Sequence, residues 1–342
     1  MLLYDLIREL TELAGPIGHE QVVQQCVKTH LAEVAEEVRS TRIGNILAHL
    51  GGSGQKIVIE AHADEICHTV QSITKKGFVK FIRNYRSPER VDPFTIGQNV
   101  LILGRKEPVP GLFATATGHV LFEKERNKLP TWDTCFIDLG MSSKKEVEEA
   151  GVYPGAPILW NVQTHQLGSH IVGKAMDDRV GLALMIQLAR ELETSSIGYD
   201  LYFASTIQEE MGLLGAQDIC REERFDFGIA LDVAIAGDIP GVKYEQMPVR
   251  LGGGPVVVHR DAYSAYDPVL SNRLVELAQE LAIPIQEAAF YRYGSDGKAL
   301  LTAGVPNALL AWPTRYTHSP FEMINEQDLH KLLRLLTAIL SK

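Results

Sequence analysis

Two adjacent carboxylates, Glu209 and Glu210, stand in the stretch Thr206-Ile-Gln-Glu-Glu-Met-Gly212, directly after the apolar run Leu201-Tyr-Phe-Ala204. Such a pair can divide its work, with one carboxylate held ionised by a cation and its neighbour free to titrate and carry a proton. Adjacent glutamates are also common on solvated faces, so the pair needs partners elsewhere in the chain. The candidates are His62 with Asp64, the doublet Asp177-Asp178, Asp232 and His318. Two imidazoles and three of the carboxylates make a mixed nitrogen and oxygen donor set suited to zinc, cobalt or manganese. Each residue also has a plainer role. Asp177 or Asp178 can cap a helix, His62 can sit hydrogen-bonded in a core, and His318 can occupy a loop. Asp232 is the hardest to explain away, because a carboxylate closing a buried apolar strand is costly unless it is paired, hydrogen-bonded or bound to metal.

The elements that must position these residues can be read from periodicity. Leu3, Leu6, Ile7, Leu10 and Leu13 recur at helical spacing before Gly15-Pro16 stops the first helix. A second helix starts near Gly18-His-Glu20, with Val22, Val23, Val27, Leu31 and Val34 toward a core. Strands are expected at Ile43 to Ala48 and Lys56 to Ala61, the latter almost continuously apolar as buried strands are. After the middle of the chain, strands near Leu201, Gly228, Ile283 and Asn307 alternate with helices from Asp178 to Leu192 and Pro268 to Ala282, and Asn325 caps a final helix. That alternation predicts an α/β fold with a sheet covered by helices on both faces. In such sheets ligands sit beyond the carboxyl ends of the strands. His62, the Glu209-Glu210 pair, Asp232 and His318 all follow expected strands, and Asp177 and Asp178 open a helix.

Between about Ser72 and Pro157 the texture changes to short strand-like pieces broken by glycine, proline and charge. We read residues 72–157 as an inserted small β-rich domain and residues 1–71 with 158–342 as one discontinuous α/β domain. The basic residues from Lys75 to Arg90 are diluted by acids and suit a solvated face better than a nucleic-acid surface.

Composition narrows the partners. The chain has 342 residues, 45% hydrophobic and 22% charged, with a formal net charge of -10. An acidic chain without clustered lysine and arginine is not suited to nucleic acid or anionic membranes. No apolar run approaches the ~18 residues of a membrane span, and the amphipathic opening Met1 to Leu10 does not read as a signal peptide. A cytoplasmic location is the expectation. The four cysteines, Cys26, Cys67, Cys135 and Cys220, show no CxxC spacing, and reduced thiols are expected.

Six motifs occur together over nearly the whole length: Ala61-His-Ala-Asp-Glu-Ile66, Gly173-Lys-Ala-Met-Asp-Asp-Arg-Val-Gly181, Thr206-Ile-Gln-Glu-Glu-Met-Gly-Leu-Leu-Gly-Ala216, Ala230-Leu-Asp-Val233 with Ala236-Gly-Asp238, Gly294-Ser-Asp296 and Arg315-Tyr-Thr-His-Ser-Pro-Phe-Glu322. In this order they make the chain resemble the tetrahedral aminopeptidases of metallopeptidase family forty-two, which includes proteins labelled glutamyl aminopeptidase and, historically, endoglucanase. The resemblance implies the helix-covered mixed sheet of the zinc-peptidase, phosphorylase-like type. It implies two divalent ions per subunit, zinc or cobalt and possibly manganese, with Asp177 bridging them. His62 and Asp232 would complete one site and Glu210 and His318 the other. Glu209 would be the general base, Asp64 the carboxylate that orients His62, and Asp178 structural. Short peptides with a free N-terminus would be the substrates. The inserted domain would serve self-association, with dimers building a hollow dodecamer.

The sequence departs from that pattern in places. Cys67 and His68 follow Ile66 where glycine and an apolar residue are usual, Ile235 replaces a frequently polar residue, and Gly297-Lys298 follows Gly294-Ser295-Asp296 where small residues are usual. Ser295, Asp296 and Lys298 are the candidates for substrate contact, and Lys298 in a first side-chain pocket would favour acidic residues. Glycoside hydrolysis by paired carboxylates would leave His62, His318 and Asp177 without a role. A catalytically silent assembly subunit would have no need of Glu209.

Overall fold

The computed structural model describes residues 2–84, 91–126, 128–192 and 197–341. Arg86 and Arg90 of the basic stretch lie outside the described residues. Two compact units emerge, Met1–Glu65 with Thr164–Lys342, and Ile66–Gln163.

The larger unit is built on an 11-stranded mixed sheet. Its centre is a block of parallel strands, Asp200–Thr206, Lys56–His62, Phe227–Ile235 and Asn307–Arg315, side by side in that order. These are the near-continuous apolar runs of the sequence, and their alternation sends residues to opposite faces. Ile57, Ile59 and Ala61 join the main core with Leu6, Val27, Val180, Leu184 and Leu333, while Val58 joins Leu47, Ala204, Ile219 and Leu300 on the other face. Helices Leu3–Glu12, Gln21–Leu31 and Glu326–Leu340 pack on the long helix Met176–Glu191, and Leu214–Glu222 packs on Gly297–Thr302. Asn325 caps the last helix as expected, its side chain accepting from the Gln327 N–H. Val22, expected toward the core, is exposed at the start of its helix, since one valine can be spared where Val23, Val27 and Leu31 already seal the face.

Register sets the depth of the site. Thr206 pairs with His62, and Asp232 pairs with Ala311. The strand carrying Asp232 continues to Ile235 instead of ending at the carboxylate, because Val233 and Ala234 still find buried partners in Trp312 and Pro313.

A buried ion cluster locks the start of the long helix to the chain after His62. Lys174 Nζ lies 2.8 and 2.7 Å from the two oxygens of Glu65, and Arg179 Nη2 lies 3.4 Å from Oε1. Arg179, fully buried, also donates to the carbonyls of Leu10 and Gly15, and Lys174 donates to that of Leu13. One carboxylate thus answers two buried cations, which also donate to the carbonyls that end the first helix. Gly15 has no room for a side chain: a Cβ there would meet Arg179 at 2.5 Å.

The smaller unit is a closed antiparallel barrel of six strands: His68–Ile73, Val79–Arg83, Phe136–Asp138, Val109–Ala114, Asn99–Ile102 and Pro157–Trp160. It runs from Ile66 to Gln163, beyond the 72–157 expected from texture, because the first and last barrel strands pair through His68 with Ile158 and Thr69 with Pro157. The atypical His68 points into the barrel core among Phe81, Phe113, Trp132 and Trp160, with ring centroids 5.0 to 5.9 Å away. Burial, followed by the positive charge of Arg83, lowers its pKa to about 3. Cys67 is buried with its sulfur accepting from Asn84 Nδ2. None of the four cysteines is in a disulfide.

Candidate metal centre

Three strand ends, one strand interior and one helix start deliver the polar residues. His62 closes Lys56–His62, Glu209 and Glu210 follow Asp200–Thr206, Asp232 lies within Phe227–Ile235, and His318 follows Asn307–Arg315. Asp177 and Asp178 stand at the head of Met176–Glu191 with non-helical backbone, joined by a cis peptide. Ala175, Gln208 and His318 adopt left-handed backbone at φ 54°, 52° and 62°. For residues with a Cβ this costs about 1 kcal/mol or more each, and all three lie in the segments that aim ligand side chains.

Asp177 is the hub. Its Oδ1 lies 2.9 Å from His62 Nε2, and its Oδ2 lies 3.4 Å from His318 Nε2. His318 Nε2 is in turn 3.0 Å from Glu210 Oε1. Donor atoms of His62, Asp177 and Asp232 gather within 4.8 Å of one another, as do those of Asp177, Glu210 and His318. The two groups share Asp177 and present one oxygen of that residue to each imidazole.

The electrostatics follow from carboxylates crowded around two imidazoles. Burial strongly raises the Asp232 carboxyl, and the neighbouring Asp177 charge raises it further, against His62. At Asp177 burial pulls upward, but hydrogen bonds from His318 and His62 outweigh it and hold the carboxyl below its usual range. Burial pulls His62 down, yet its hydrogen bonds to Asp177 and Asp64 raise it well above an ordinary imidazole. Carboxylates outnumber the two imidazoles here, and cations would offset their charge. Nitrogen and oxygen donors in two groups sharing a carboxylate fit divalent metal ions of the zinc, cobalt and manganese kind.

Supporting carboxylates fix the donors from behind. Asp64, fully buried, accepts the backbone N–H groups of Glu209 and Glu210 at 2.9 and 3.1 Å, and its Oδ1 lies 3.5 Å from His62 Nδ1. Asp178 neither caps its helix nor faces solvent. Its Oδ2 accepts the His62 N–H at 2.9 Å. Glu322, unassigned in the sequence although it closes the last motif, accepts the N–H of Asp177 at 3.0 Å and that of His318 at 3.1 Å. Burial and the Asp177 charge raise its carboxyl to about 8. The only signal the sequence offers for it is its place as an acid closing the motif four residues after His318.

Glu209 lies beside the cluster, with a donor atom within 4.8 Å of His62 and Glu210. Burial, then the charges of Glu210, Asp296 and Asp232, raise its carboxyl well above the ordinary range against the pull of His62. Asp296 is buried and accepts from Thr206 Oγ1 at 2.5 Å, its pKa raised by burial to about 6. Ser295 is fully buried against the Tyr266 hydroxyl at 2.8 Å. Lys298 is exposed, its Nζ 4.7 Å from the centre of the Tyr263 ring.

Comparison with known proteins supplies the family and the fold. The family model for M42 glutamyl aminopeptidase matches residues 44–335. The lysyl aminopeptidase of Pyrococcus furiosus is 30% identical over 353 residues, covering 100% of this chain and 98% of that protein. The crystal structure of a TET aminopeptidase from the marine sediment archaeon Thaumarchaeota archaeon SCGC AB-539-E09 superposes with a TM-score of 0.94 at 29% identity, covering 99% of this chain and 96% of that one. A structure of PhTET1-12s, a dodecamer in the asymmetric unit, gives a TM-score of 0.87 at 25% identity with 100% of both chains covered. With the family model spanning most of the chain and the fold shared end to end, this protein belongs to the M42 glutamyl aminopeptidase family and is a metallo-aminopeptidase.

Proposed function

We propose that the chain removes N-terminal residues from short peptides at a centre where His62, Asp177, Asp232, Glu210 and His318 would hold two divalent ions, with Glu209 as the proton carrier. The observation that carries this reading is the split carboxylate of Asp177, one oxygen toward each imidazole and one donor group on each side. His62 and Asp232 would hold one ion and Glu210 and His318 the other. Divalent ions so held supply Lewis acidity, polarising a carbonyl and lowering the pKa of water.

The chain's own groups do the rest. Glu209, close to the donors but belonging to neither group that contains Asp177, takes a proton from the attacking water on a carboxylate oxygen and returns it to the leaving amine, a role typically worth about 10²- to 10⁴-fold. Asp64 keeps Glu209 and Glu210 at fixed positions through their backbone N–H groups. A free α-amino group of the peptide, drawn to this carboxylate-rich cluster, would limit cleavage to the N-terminal residue. Ser295 and Asp296 would back the substrate wall through Tyr266 and Thr206, and Lys298 would offer its charge to an acidic side chain. The dodecamer of PhTET1-12s supports self-association of this chain. We assign that association to the barrel unit, with dimers building the larger assembly.

The test is hydrolysis of aminoacyl-nitroanilides by protein loaded with zinc, cobalt or manganese. Activity that vanishes on chelation, returns with metal and requires an unblocked α-amino group is expected. Equal rates on N-acetylated substrates would overturn the reading. In the same assay, unchanged preference between glutamyl and lysyl substrates in Lys298→Ala would remove Lys298 from the pocket.

A further inference from the structure

A second group of metal-ligating side chains lies away from the catalytic cluster. Glu9, Cys26 and His30 bring one donor atom each to within 4.8 Å of one another. Cys26 and His30 are four residues apart on the helix Gln21–Leu31, a spacing that places both on one face. Glu9 comes from the facing helix Leu3–Glu12. Its Oε1 accepts from Cys26 Sγ at 3.6 Å, and its Oε2 lies 3.1 Å from His30 Nε2. Among the described residues this is the only such group that contains a cysteine.

We propose that Glu9, Cys26 and His30 form an additional metal site, separate from the catalytic centre, for a borderline-soft divalent cation of the zinc type. One thiolate, one imidazole and one carboxylate are zinc's own ligand types, and three protein donors leave a fourth tetrahedral position for water. The cation would tie the first helix to the second. The present hydrogen bonds already hold all three donor atoms together, so one ion replaces the protons between them with little movement of the chain. Burial, then the charge of Glu9, pushes the Cys26 thiol up to about 12, so it carries its proton at neutral pH. Binding therefore releases that proton to solvent, and the remaining proton of a neutral His30 moves to Nδ1 as Nε2 takes the cation.

Arg190 makes the assignment sharper. Its Nη2 lies 3.0 Å from His30 Nδ1 and 3.5 Å from Glu33. A protonated Nδ1 cannot accept from the guanidinium, so loading requires Arg190 to give up His30 for Glu33. The guanidinium thus competes with the cation, and its removal must favour binding.

Cobalt is the probe, because a thiolate bound to Co2+ gives a near-ultraviolet charge-transfer band that the catalytic cluster, which contains no thiol, cannot give. Chelator-treated full-length protein titrated with Co2+ should develop that band to saturation, with one thiolate-bound ion per chain beyond those the catalytic donors take up. The band should be lost in Cys26→Ser, need at least tenfold more Co2+ in His30→Ala, and persist in Asp177→Ala, which damages only the catalytic donors. Arg190→Ala should saturate at lower Co2+ than the parent chain. No band at saturating Co2+, a band undiminished in Cys26→Ser, or weaker binding in Arg190→Ala would overturn the site. Circular dichroism of each variant separates loss of the site from loss of the fold.

Discussion

Glu322 Oε2 accepts the backbone N–H of Asp177 at 3.0 Å, while its other oxygen accepts that of His318 at 3.1 Å. A single buried carboxylate therefore sets the spacing between Asp177 and one of the imidazoles it faces. Glu322→Gln keeps the shape but turns an NH2 group toward one of the two N–H donors. Metal affinity should fall by about 10- to 100-fold, the usual cost of a lost outer partner. Competition with a fluorescent chelator measures it, and unchanged affinity would show that Glu322 does not hold the geometry.

Asp64 plays the matching part on the other side. It accepts from Glu209 and Glu210 and faces His62 Nδ1 at 3.5 Å. Asp64→Asn cannot accept equally from both glutamate N–H groups, and it loses the charge that favours a proton on Nδ1. We expect a lower kcat together with metal affinity weakened by about 10-fold or more. A variant with normal kcat at full metal loading would leave Asp64 no positioning role.

The aromatic packing of His68 predicts a pH dependence of stability. Its folded pKa, about 3, lies below the ordinary value of 6.5. Between these two values the unfolded chain binds a proton that the folded chain does not, so stability falls as pH drops below about 6.5 and the loss is complete near pH 3. At one proton over this window the contribution approaches ~5 kcal/mol. Urea unfolding from pH 7 to pH 4 should show a shallower acid decline for His68→Phe than for the parent, by about one proton. Identical slopes would contradict the buried neutral imidazole.

Glu65 tests the buried ion cluster. Glu65→Ala leaves Lys174 and Arg179 inside the protein without their carboxylate, a change that costs about 3–5 kcal/mol when a buried pair is broken. The exposed pair Lys145–Glu149 is the control, since disrupting it should change stability by less than about 0.5 kcal/mol. Denaturation midpoints compare the two, and similar small losses would argue against the cluster's structural weight.

Much of this was legible in the sequence because the parallel strands are unbroken apolar runs with a polar residue just past them. Lys56 to Ala61 followed by His62, and Leu201 to Ala204 followed by Glu209 and Glu210, announce both the sheet and its working edge. Glu322 was not legible as a support because it is four residues from His318 in a strand too short to show alternation, and its two acceptor bonds depend on tertiary approach. Asp178 reads as a helix cap from its position, but the non-helical backbone at the helix head turns its side chain toward the His62 N–H instead. The extra reach of the barrel unit was hidden because the pairing of His68 with Ile158 joins segments far apart in the chain.

The central claim is that Asp177 and its four partners hold the metal while Glu209 carries the proton. Glu209→Gln, loaded with zinc and assayed for metal content and turnover on the same sample, tests it most directly. The account predicts the same metal content as the parent, with kcat reduced by at least ~10²-fold. Turnover close to the parent's, or metal lost along with activity, would contradict it.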